Sequence, residues 1–194
     1  MKKTKDKKLR CPWPVSDDPL YLRYHDKEWG VPVYADRTIF EFLVLEAFQA
    51  GLSWRTILHK RENFRKAFAG FDYRKVARFG ARDTVRLMKD AGIVRNRAKI
   101  AAAIVNARQF LKVREEFGTF SNYMWAWVGG KTIAHKLRAL KDYPVCIEEA
   151  VNWAKDLKKR GFRFLGPTTL YAHMQAVGMV NDHVVTCFRR RPKR

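Results

Sequence analysis

The sequence has few cysteines, few acidic residues and no long apolar run. Its 194 residues include three cysteines, an odd number that argues against a disulfide framework and makes metal ligation the more informative use of them. The most apolar stretch, 39–50, is too short to cross a membrane and contains Glu41 and Glu46. A secretion signal needs an apolar segment where this chain has the letters CPWPVSDD. We therefore expect a cytosolic protein with no membrane partner.

The shortage of acidic residues leaves a strongly basic chain. There are 40 Lys and Arg residues against 19 Asp and Glu, which gives a formal net charge of +21. Residues 1–10 and 189–194 are predicted to be solvated basic arms because they have no apolar pattern to bury, and residues 11–188 to form one globular body. The body keeps more than half of the net charge, which indicates a polyanionic partner, most simply nucleic acid bound through its phosphates.

Strand-type alternation is nearly absent, whereas helical periodicity and helix-end signals recur along the body. Asp36 and Ser53 are predicted N-caps, Gly51 and Gly161 fit helix ends, and Pro167 suits a first helical turn. The expected fold class is therefore all-α. The predicted helices are 37–50, 54–69, 72–77, 81–89, 97–113, 121–128, 147–159 and 167–177.

A short connection joins two of these helices within residues 82–113. A tight turn that leads into a helix presents unpaired backbone N–H groups to an anion. Gly92 lies in this turn, and Arg95, Arg97 and Lys99 place positive charge around it. The segment has the form of a helix-hairpin-helix that grips a DNA backbone. An ordinary helical corner with solvated basic residues explains the same pattern.

Four residues with soft or borderline ligand atoms lie near the two ends of the body: Cys11, His25, His183 and Cys187. Two Cys and two His match a closed zinc site, and the i, i+4 spacing of His183 and Cys187 puts both on one face if that segment is helical. The spacing of Cys11 and His25 follows no common zinc motif, so buried Cys and hydrogen-bonded His without a metal are the alternative. A zinc ion with four protein ligands would be structural and would join the first and last segments.

An aromatic-rich segment with weak helical periodicity contains Trp13, Tyr21, Tyr24 and Trp29. Such rings stack well on nucleobases, with a free energy of roughly 1–3 kcal/mol per base. The segment can therefore line a base pocket, or the rings can close the core beneath an N-terminal loop.

Glu46 is a carboxylate on an otherwise apolar helix face, with Phe42 and Leu43 as neighbours one turn away. Burial raises the pKa of such a group or requires a cationic partner, which makes it a candidate functional residue. A structural ion pair with one of the many basic residues is the alternative. The turn that follows has an apolar tip at Gly51 and Leu52, which can wedge into a base stack or fold back on the core.

Three long blocks carry a resemblance to a known family. They are residues 18–32 (DPLYLRYHDKEWGVP), residues 45–54 (LEAFQAGLSW), and residues 158–166 (KKRGFRFLG) continuing to 174–183 (MQAVGMVNDH). From Cys11 to Cys187 the chain resembles the constitutive type I 3-methyladenine-DNA glycosylases, a bacterial base-excision repair family of the helix-hairpin-helix superfamily. The sequence departs from the family pattern at Phe48, where some members have a polar residue, and is least familiar over 129–150.

The resemblance implies roles for the residues singled out above. The four Cys and His residues would bind a structural Zn²⁺ ion, and Glu46 would recognise the excised base. Tyr24 and Trp54 would contact or stack on this base, and the turn at Gly51 and Leu52 would fill the position that the flipped nucleotide leaves. The residues implied at the pocket wall and at the hairpin are Trp13, Tyr21, Trp29, Gly92, Arg95, Arg97 and Lys99.

The implied activity is hydrolysis of the N-glycosidic bond of 3-methyladenine in double-stranded DNA, by a monomer that flips the base and has no lyase step. Three other interpretations keep parts of the same pattern. One is a zinc-containing module that recognises lesions without excising them, another is a glycosylase for a different alkylated base, and the third is a general RNA-associated or ribosome-associated basic protein.

Overall fold

The computed structural model describes residues 8–14 and 17–190. Most of the two predicted arms, residues 1–7 and 191–194, lies outside these ranges. Two described residues of the N-terminal arm contact the body: Arg10 donates hydrogen bonds of 2.9 and 2.8 Å to the Asp26 carboxylate, and the carbonyl of Leu9 accepts the N–H of Phe188 at 2.9 Å. The boundaries at 11 and 188 stay a prediction.

The described residues form nine α-helices and one minimal pair of parallel strands, β1 (Ile133–Ala134) and β2 (Val180–Asn181), in which Ile133 pairs with Val180. The all-α prediction is confirmed. The helices are α1 (Pro19–Lys27), α2 (Asp36–Gln49), α3 (Trp54–Ala67), α4 (Tyr73–Ala77), α5 (Ala81–Lys89), α6 (Arg97–Phe117), α7 (Phe120–Ala126), α8 (Glu148–Lys159) and α9 (Pro167–Ala176). None of the helices in the described ranges is long and apolar enough to cross a membrane.

Every helix predicted from the sequence is present, and the largest difference is that α6 continues to Phe117. The helix α1 was not predicted. Pro19 occupies its first turn, and the Asp18 carboxylate caps it by accepting the N–H groups of Leu20 and Tyr21 at 3.1 Å. Its inward residues are polar-tipped aromatic or imidazole groups rather than an apolar stripe, so it lacks the periodic pattern that identifies an amphipathic helix.

The central element of the core is α2, in which residues 39–48 are all buried. The helices α3, α6, α7 and α9 pack against it, while α4 packs on α6 and α8 packs on α9. The turn after α2, residues 50–53, is exposed. The fold therefore holds Glu46 in the interior one helical turn before the chain returns to the surface.

Asp36 is the first residue of α2 and not its N-cap, which is Ala35. Its carboxylate accepts the N–H groups of Phe120 at 3.2 Å and Ser121 at 3.0 Å, and it pairs with Arg114. The side chain therefore satisfies the unpaired donors at the start of α7, because the tertiary fold brings that helix start to it. The cap predicted at Ser53 is confirmed, with its hydroxyl accepting the N–H of Thr56 at 3.2 Å.

Candidate active site

Two sequence-distant ends of the body meet at a buried cluster formed by Cys11, His25, His183 and Cys187, whose ligand atoms all lie within 4.8 Å of one another. Nδ1 of His183 lies 3.4 Å from the sulfur of Cys11 and 3.4 Å from the sulfur of Cys187. Nε2 of His25 lies 3.5 Å from the sulfur of Cys187. The prediction that these four residues come together is confirmed.

In both histidines of the cluster, the second ring nitrogen also has a hydrogen-bond partner. Nδ1 of His25 lies 2.8 Å from the Asp26 carboxylate, and Nε2 of His183 donates to the backbone carbonyl of Trp29 at 3.1 Å. Such bonds turn the other nitrogen of each ring towards the cluster, as they do in zinc sites. A tetrahedral ion with bonds of about 2.3 Å to sulfur and about 2.0 Å to nitrogen separates those ligands by about 3.5 Å. The residues present therefore fit a Zn²⁺ ion.

The segment with His183 and Cys187 is a turn and not a helix, with the N–H of Cys187 donating to the carbonyl of Val184 at 2.8 Å. Both side chains nevertheless reach the same cluster. Interaction with Cys187 and burial raise the pKa of the Cys11 thiol, whereas the same interaction and hydrogen bonds with His183 and His25 lower the pKa of Cys187. The cluster thus favours a thiolate at Cys187, the form in which cysteine binds a metal.

A cavity of about 250 Å³ lies beside this cluster, between α1, the end of α2, the start of α3 and α9. Its lining contains every aromatic residue predicted for a base pocket together with the candidate carboxylate. These residues are Trp13, Tyr21, Tyr24, Trp29, Glu46 and Trp54.

The helix α1 supplies side chains to the cavity and to the cluster at once. Tyr21, Tyr24 and His25 follow the i, i+3, i+4 spacing and so share one face of α1, with the tyrosines in the cavity wall and the imidazole in the cluster. The ring of Trp13 lies 4.8 Å from that of Trp29 and 5.5 Å from that of Tyr21. The wall is therefore a continuous layer of aromatic faces that rests on the cluster.

Glu46 is 4% exposed, and no described residue forms a hydrogen bond or ion pair with its carboxylate. Burial raises the pKa of Glu46 to about 8. The alternative role for Glu46, a structural ion pair, is not seen among the described residues. Arg61 and Arg65 instead bind Glu41, at 2.5 and 2.7 Å. The cavity therefore contains a carboxyl group without a cationic partner.

Sequence reasoning missed several residues of the cavity wall, including Gln49, Tyr143 and Gln175. The Gln175 amide nitrogen donates to the Asp182 carboxylate at 2.7 Å, so the amide oxygen is the group left to accept a hydrogen bond. Its position three residues after Ala172 on α9 could have indicated a shared face. Tyr143 gave no such signal because it lies in an irregular segment.

The turn after α2 is exposed beside the cavity. Gly51 has a φ of +81°, a left-handed conformation that favours glycine, and Leu52 is 42% exposed, so it does not fold back on the core. A second cavity of about 160 Å³ lies between this turn and the start of α9, and Glu46 and Leu52 both line it. The carboxyl group and the turn are therefore parts of one continuous surface depression.

The predicted hairpin connects α5 and α6, as expected. The N–H of Gly92 donates to the Asp90 carboxylate at 2.8 Å, and the side chain of Asn96 caps α6 by accepting the N–H of residue 99 at 3.0 Å. A Cβ atom at Gly92 would lie 2.9 Å from the Asp90 carboxylate and 3.1 Å from the side chain of Asn63, so a larger residue here would displace these two side chains. Arg95 and Arg97 are exposed on the hairpin, where they can reach a ligand in solution.

Lys99 differs from the other predicted hairpin contacts. The residue is 7% exposed, and its ammonium group donates to the carbonyls of Phe48, at 2.9 Å, and Ala50, at 2.5 Å. It therefore donates to carbonyls that have no partner within α2 at its C-terminal end. Its positive charge also interacts favourably with the negative end of the α2 dipole. Through this contact Lys99 joins the hairpin to the turn at Leu52, so its ammonium group is not free to bind a phosphate.

The arrangement can bind a small, flat, electron-poor ring. Indole and phenol faces offer stacking, and a buried carboxyl group can accept a hydrogen bond or balance a positive charge on the ring. A base inside a duplex cannot reach such a cavity, whereas an exposed apolar turn beside it can enter a base stack.

The chain is also similar to known proteins. The family model described as methyladenine glycosylase matches residues 13–190. The chain is 47% identical over 178 residues to DNA-3-methyladenine glycosylase 1 of Escherichia coli (strain K12), covering 92% of this chain and 95% of that protein.

Solved structures give the same result. A crystal structure of 3-methyladenine DNA glycosylase I matches with a TM-score of 0.89 at 45% identity, covering 93% of this chain and 98% of that chain. A variant of another 3-methyladenine DNA glycosylase I, in complex with 3-methyladenine, matches with a TM-score of 0.88 at 39% identity, covering 92% and 95% of the two chains.

Proposed function

Because the chain belongs to the methyladenine glycosylase family, we propose that it hydrolyses the N-glycosidic bond of 3-methyladenine in double-stranded DNA. It acts as a monomer on alkylated DNA in the bacterial cytosol and serves base-excision repair. The observation that carries this proposal is the buried, unpaired carboxyl group of Glu46 inside an aromatic cavity.

The chemistry of the substrate explains why so few polar groups suffice. Methylation at N3 places a positive charge on the purine, which makes the base a good leaving group. Stacking between aromatic faces favours this electron-poor ring. The positive charge of the ring favours the ionised form of Glu46, and the resulting carboxylate balances that charge and accepts the exocyclic N–H. A normal adenine lacks the charge, so the cavity distinguishes the two bases by electrostatics.

The nucleotide reaches the cavity by flipping out of the duplex. Flipping costs a few kcal/mol, and less for a damaged base that pairs poorly. Leu52 fills the gap in the base stack, Gly51 gives its turn the required backbone, and the hairpin holds the phosphates through Arg95, Arg97 and the backbone around Gly92. In this proposal Lys99 is a positioning residue that fixes the hairpin against the turn.

Bond cleavage proceeds by attack of water on C1′ of the sugar, without a lyase step. Glu46 orients and stabilises the departing base, Tyr24 and Trp54 contact it, and Trp13, Tyr21 and Trp29 complete the wall. We assign no lyase step because the sequence singles out no lysine as the amine nucleophile that such a step needs at the sugar.

The cluster of Cys11, His25, His183 and Cys187 holds a structural Zn²⁺ ion in this proposal. Such an ion would contribute folding free energy by joining the first and last segments, because four protein ligands leave no position for substrate or water. The fit of the donor atoms to tetrahedral spacing supports it.

The test is release of free base from methylated duplex DNA under single-turnover conditions, resolved by chromatography. We expect 3-methyladenine to appear with the wild-type protein and with Glu115→Gln, an exposed glutamate that serves as the control, and to be strongly reduced with Glu46→Gln. Full activity of Glu46→Gln with unchanged base affinity would contradict the role of Glu46. Lesion binding without any release by folded, zinc-loaded protein would favour a lesion-recognising module.

A further inference from the structure

A second groove lies on the surface formed by α8 and the segment that leads into α9. It encloses about 660 Å³ and is lined by Lys155 and Lys158 of α8 together with residues 162–167. None of the proposed base-binding or metal-binding residues belongs to it. The groove combines an apolar floor with a positively charged rim, a combination that the base cavity does not have.

The charge on the rim is not balanced by the described residues. The lining includes Lys155, Lys158 and Arg163 and no acidic residue, and these three side chains form no ion pair or side-chain hydrogen bond with any described residue. The acidic neighbour on α8, Asp156, instead binds Arg160 at 2.6 Å. Three unpaired cations at one groove are complementary to a polyanion.

The segment before α9 presents an aromatic ring to solvent in a strained conformation. Phe164 has a φ of +57°, which is unfavourable for any residue with a Cβ atom, and is 43% exposed. The buried Asn106 holds the preceding backbone, donating to the carbonyl of Arg163 at 2.9 Å and accepting its N–H at 2.8 Å. A core side chain therefore fixes the segment in a form that exposes an apolar ring, which is typical of a binding surface.

The groove adjoins the small cavity beside Leu52. Gly166 and Pro167 line the groove, and the next two residues, Thr168 and Thr169, line that cavity. Lys99 ties the hairpin to Ala50, which lines the same cavity. Both basic surfaces therefore adjoin the cavity beside the turn at Leu52.

We propose that this groove is a second DNA-contacting surface, in which Lys155, Lys158 and Arg163 bind backbone phosphates and Phe164 contacts the adjoining sugar. The inference rests on the proposed function, since it takes duplex DNA as the occupant. The hairpin and the groove both bind the strand close to the turn, so the duplex is held at two places beside the nucleotide that leaves the stack. Holding it at two places keeps the duplex deformed while the base is outside.

The experiment measures binding of undamaged duplex DNA by fluorescence anisotropy over a series of salt concentrations. The test variant is Lys155→Ala/Lys158→Ala/Arg163→Ala. The control, Lys66→Ala/Arg78→Ala/Lys112→Ala, removes the same charge from exposed residues that line none of the described cavities. Because each lost phosphate contact lowers the slope of log K against log salt by about 0.9, we expect the slope of the test variant to fall by about 2.7, and its affinity on the order of tenfold or more.

The control should keep both the affinity and the salt slope of the wild type within error. A variant that exchanges Lys for Arg and Arg for Lys at the three groove positions should keep the salt slope, because the charge remains. Phe164→Ala should lower the affinity for DNA without changing the salt slope, whereas Phe164→Tyr, which keeps an aromatic ring, should keep the affinity of the wild type. Equal slopes for the groove variant and the control variant would overturn the proposal.

The two proposals fail in different assays. Loss of salt slope in the groove variant supports the DNA-contacting surface whether or not the wild-type protein releases 3-methyladenine. A wild-type protein that releases 3-methyladenine, combined with a groove variant that binds like the control, rejects the surface and leaves the proposed activity standing.

Discussion

The backbone carbonyl of Trp29 accepts a hydrogen bond from Nε2 of His183 at 3.1 Å, while the indole of Trp29 lies 4.8 Å from the ring of Trp13 in the cavity wall. One residue therefore belongs both to the support of the Cys and His cluster and to the surface that faces a bound base. Any change that displaces the imidazole of His183 also moves the wall of the cavity. The cluster supports the site although none of its ligands lines the cavity.

Cys187→Ser is expected to lower zinc content from about one ion per chain and to destabilise the fold by about 3 kcal/mol or more, because it leaves the remaining buried ligands without a complete site. Metal analysis and urea unfolding measure the two effects. Cys146→Ser is the matched control, since Cys146 is a half-buried cysteine outside the cluster, and it should keep the metal. A Cys187→Ser protein with full zinc content would show that the cluster is not the metal site.

Leu52→Ala is expected to lower the rate of base excision on the order of tenfold or more, because the leucine no longer offsets an unstacking cost of a few kcal/mol. Its unfolding free energy should change by less than about 0.5 kcal/mol, since the side chain is 42% exposed. Val145→Ala is the control, as Val145 is 80% exposed and lines neither cavity near the turn. Equal excision rates for the two variants would remove Leu52 from the mechanism.

Glu46→Gln is expected to become progressively more stable than the wild type as pH rises. The native pKa of Glu46 is raised from 4.5 to about 8, so the native state holds a proton that the unfolded state has lost between these values. The stability that this group contributes is present below pH 4.5 and is lost as pH rises through 8, at about 1.4 kcal/mol per pH unit. Urea unfolding of both proteins between pH 4.5 and 8 measures the difference, and a difference independent of pH would contradict the assignment.

His173→Phe is expected to stabilise the protein at neutral pH by about 1–3 kcal/mol, because both ring nitrogens of this fully buried histidine lack a hydrogen-bond partner among the described residues. Burial lowers the pKa of His173 from 6.5 to about 3. The unfolded state therefore binds a proton first as pH falls, and the wild type loses stability from this group below pH 6.5. Chemical unfolding at pH 7 and pH 5 should show a larger advantage for the variant at pH 5; a destabilised variant at both values would refute this account.

The sequence was sufficient to predict α2, its following turn and the four-residue cluster. The apolar run of α2 and the cap at Ser53 follow from local chemistry that tertiary contacts did not override, whereas the exposure of Leu52 was one of two alternatives that the sequence left open. The cluster was predicted from the ligand types of its residues and from the family blocks at both ends of the body, because spacing alone did not exclude a chance arrangement. The role of these residues in metal binding and excision stays a prediction.

The misses have physical causes. Asp36 was predicted to cap α2 and instead accepts the N–H groups at the start of α7, which tertiary packing brings to it. Lys99 was predicted to contact DNA at the hairpin and instead donates to carbonyls at the C-terminal end of α2. Tyr143 reaches the cavity from an irregular segment that has no period, and the spacing of Gln175 from Ala172 on α9 indicates a shared face only once one of the two is known to line the cavity. Long-range placement of polar groups is the part that local pattern does not encode.

The separation of Cys11 from His183 by 172 residues affects folding during synthesis. At a rate of about 5–20 residues per second, the ribosome releases the second half of the cluster on the order of 10 to 30 seconds after the first. Over that interval Trp13 and Trp29 have no C-terminal support, although the segments from α2 to α7 are already available to pack. Closure of the aromatic wall must therefore be a late event in the maturation of the newly made chain.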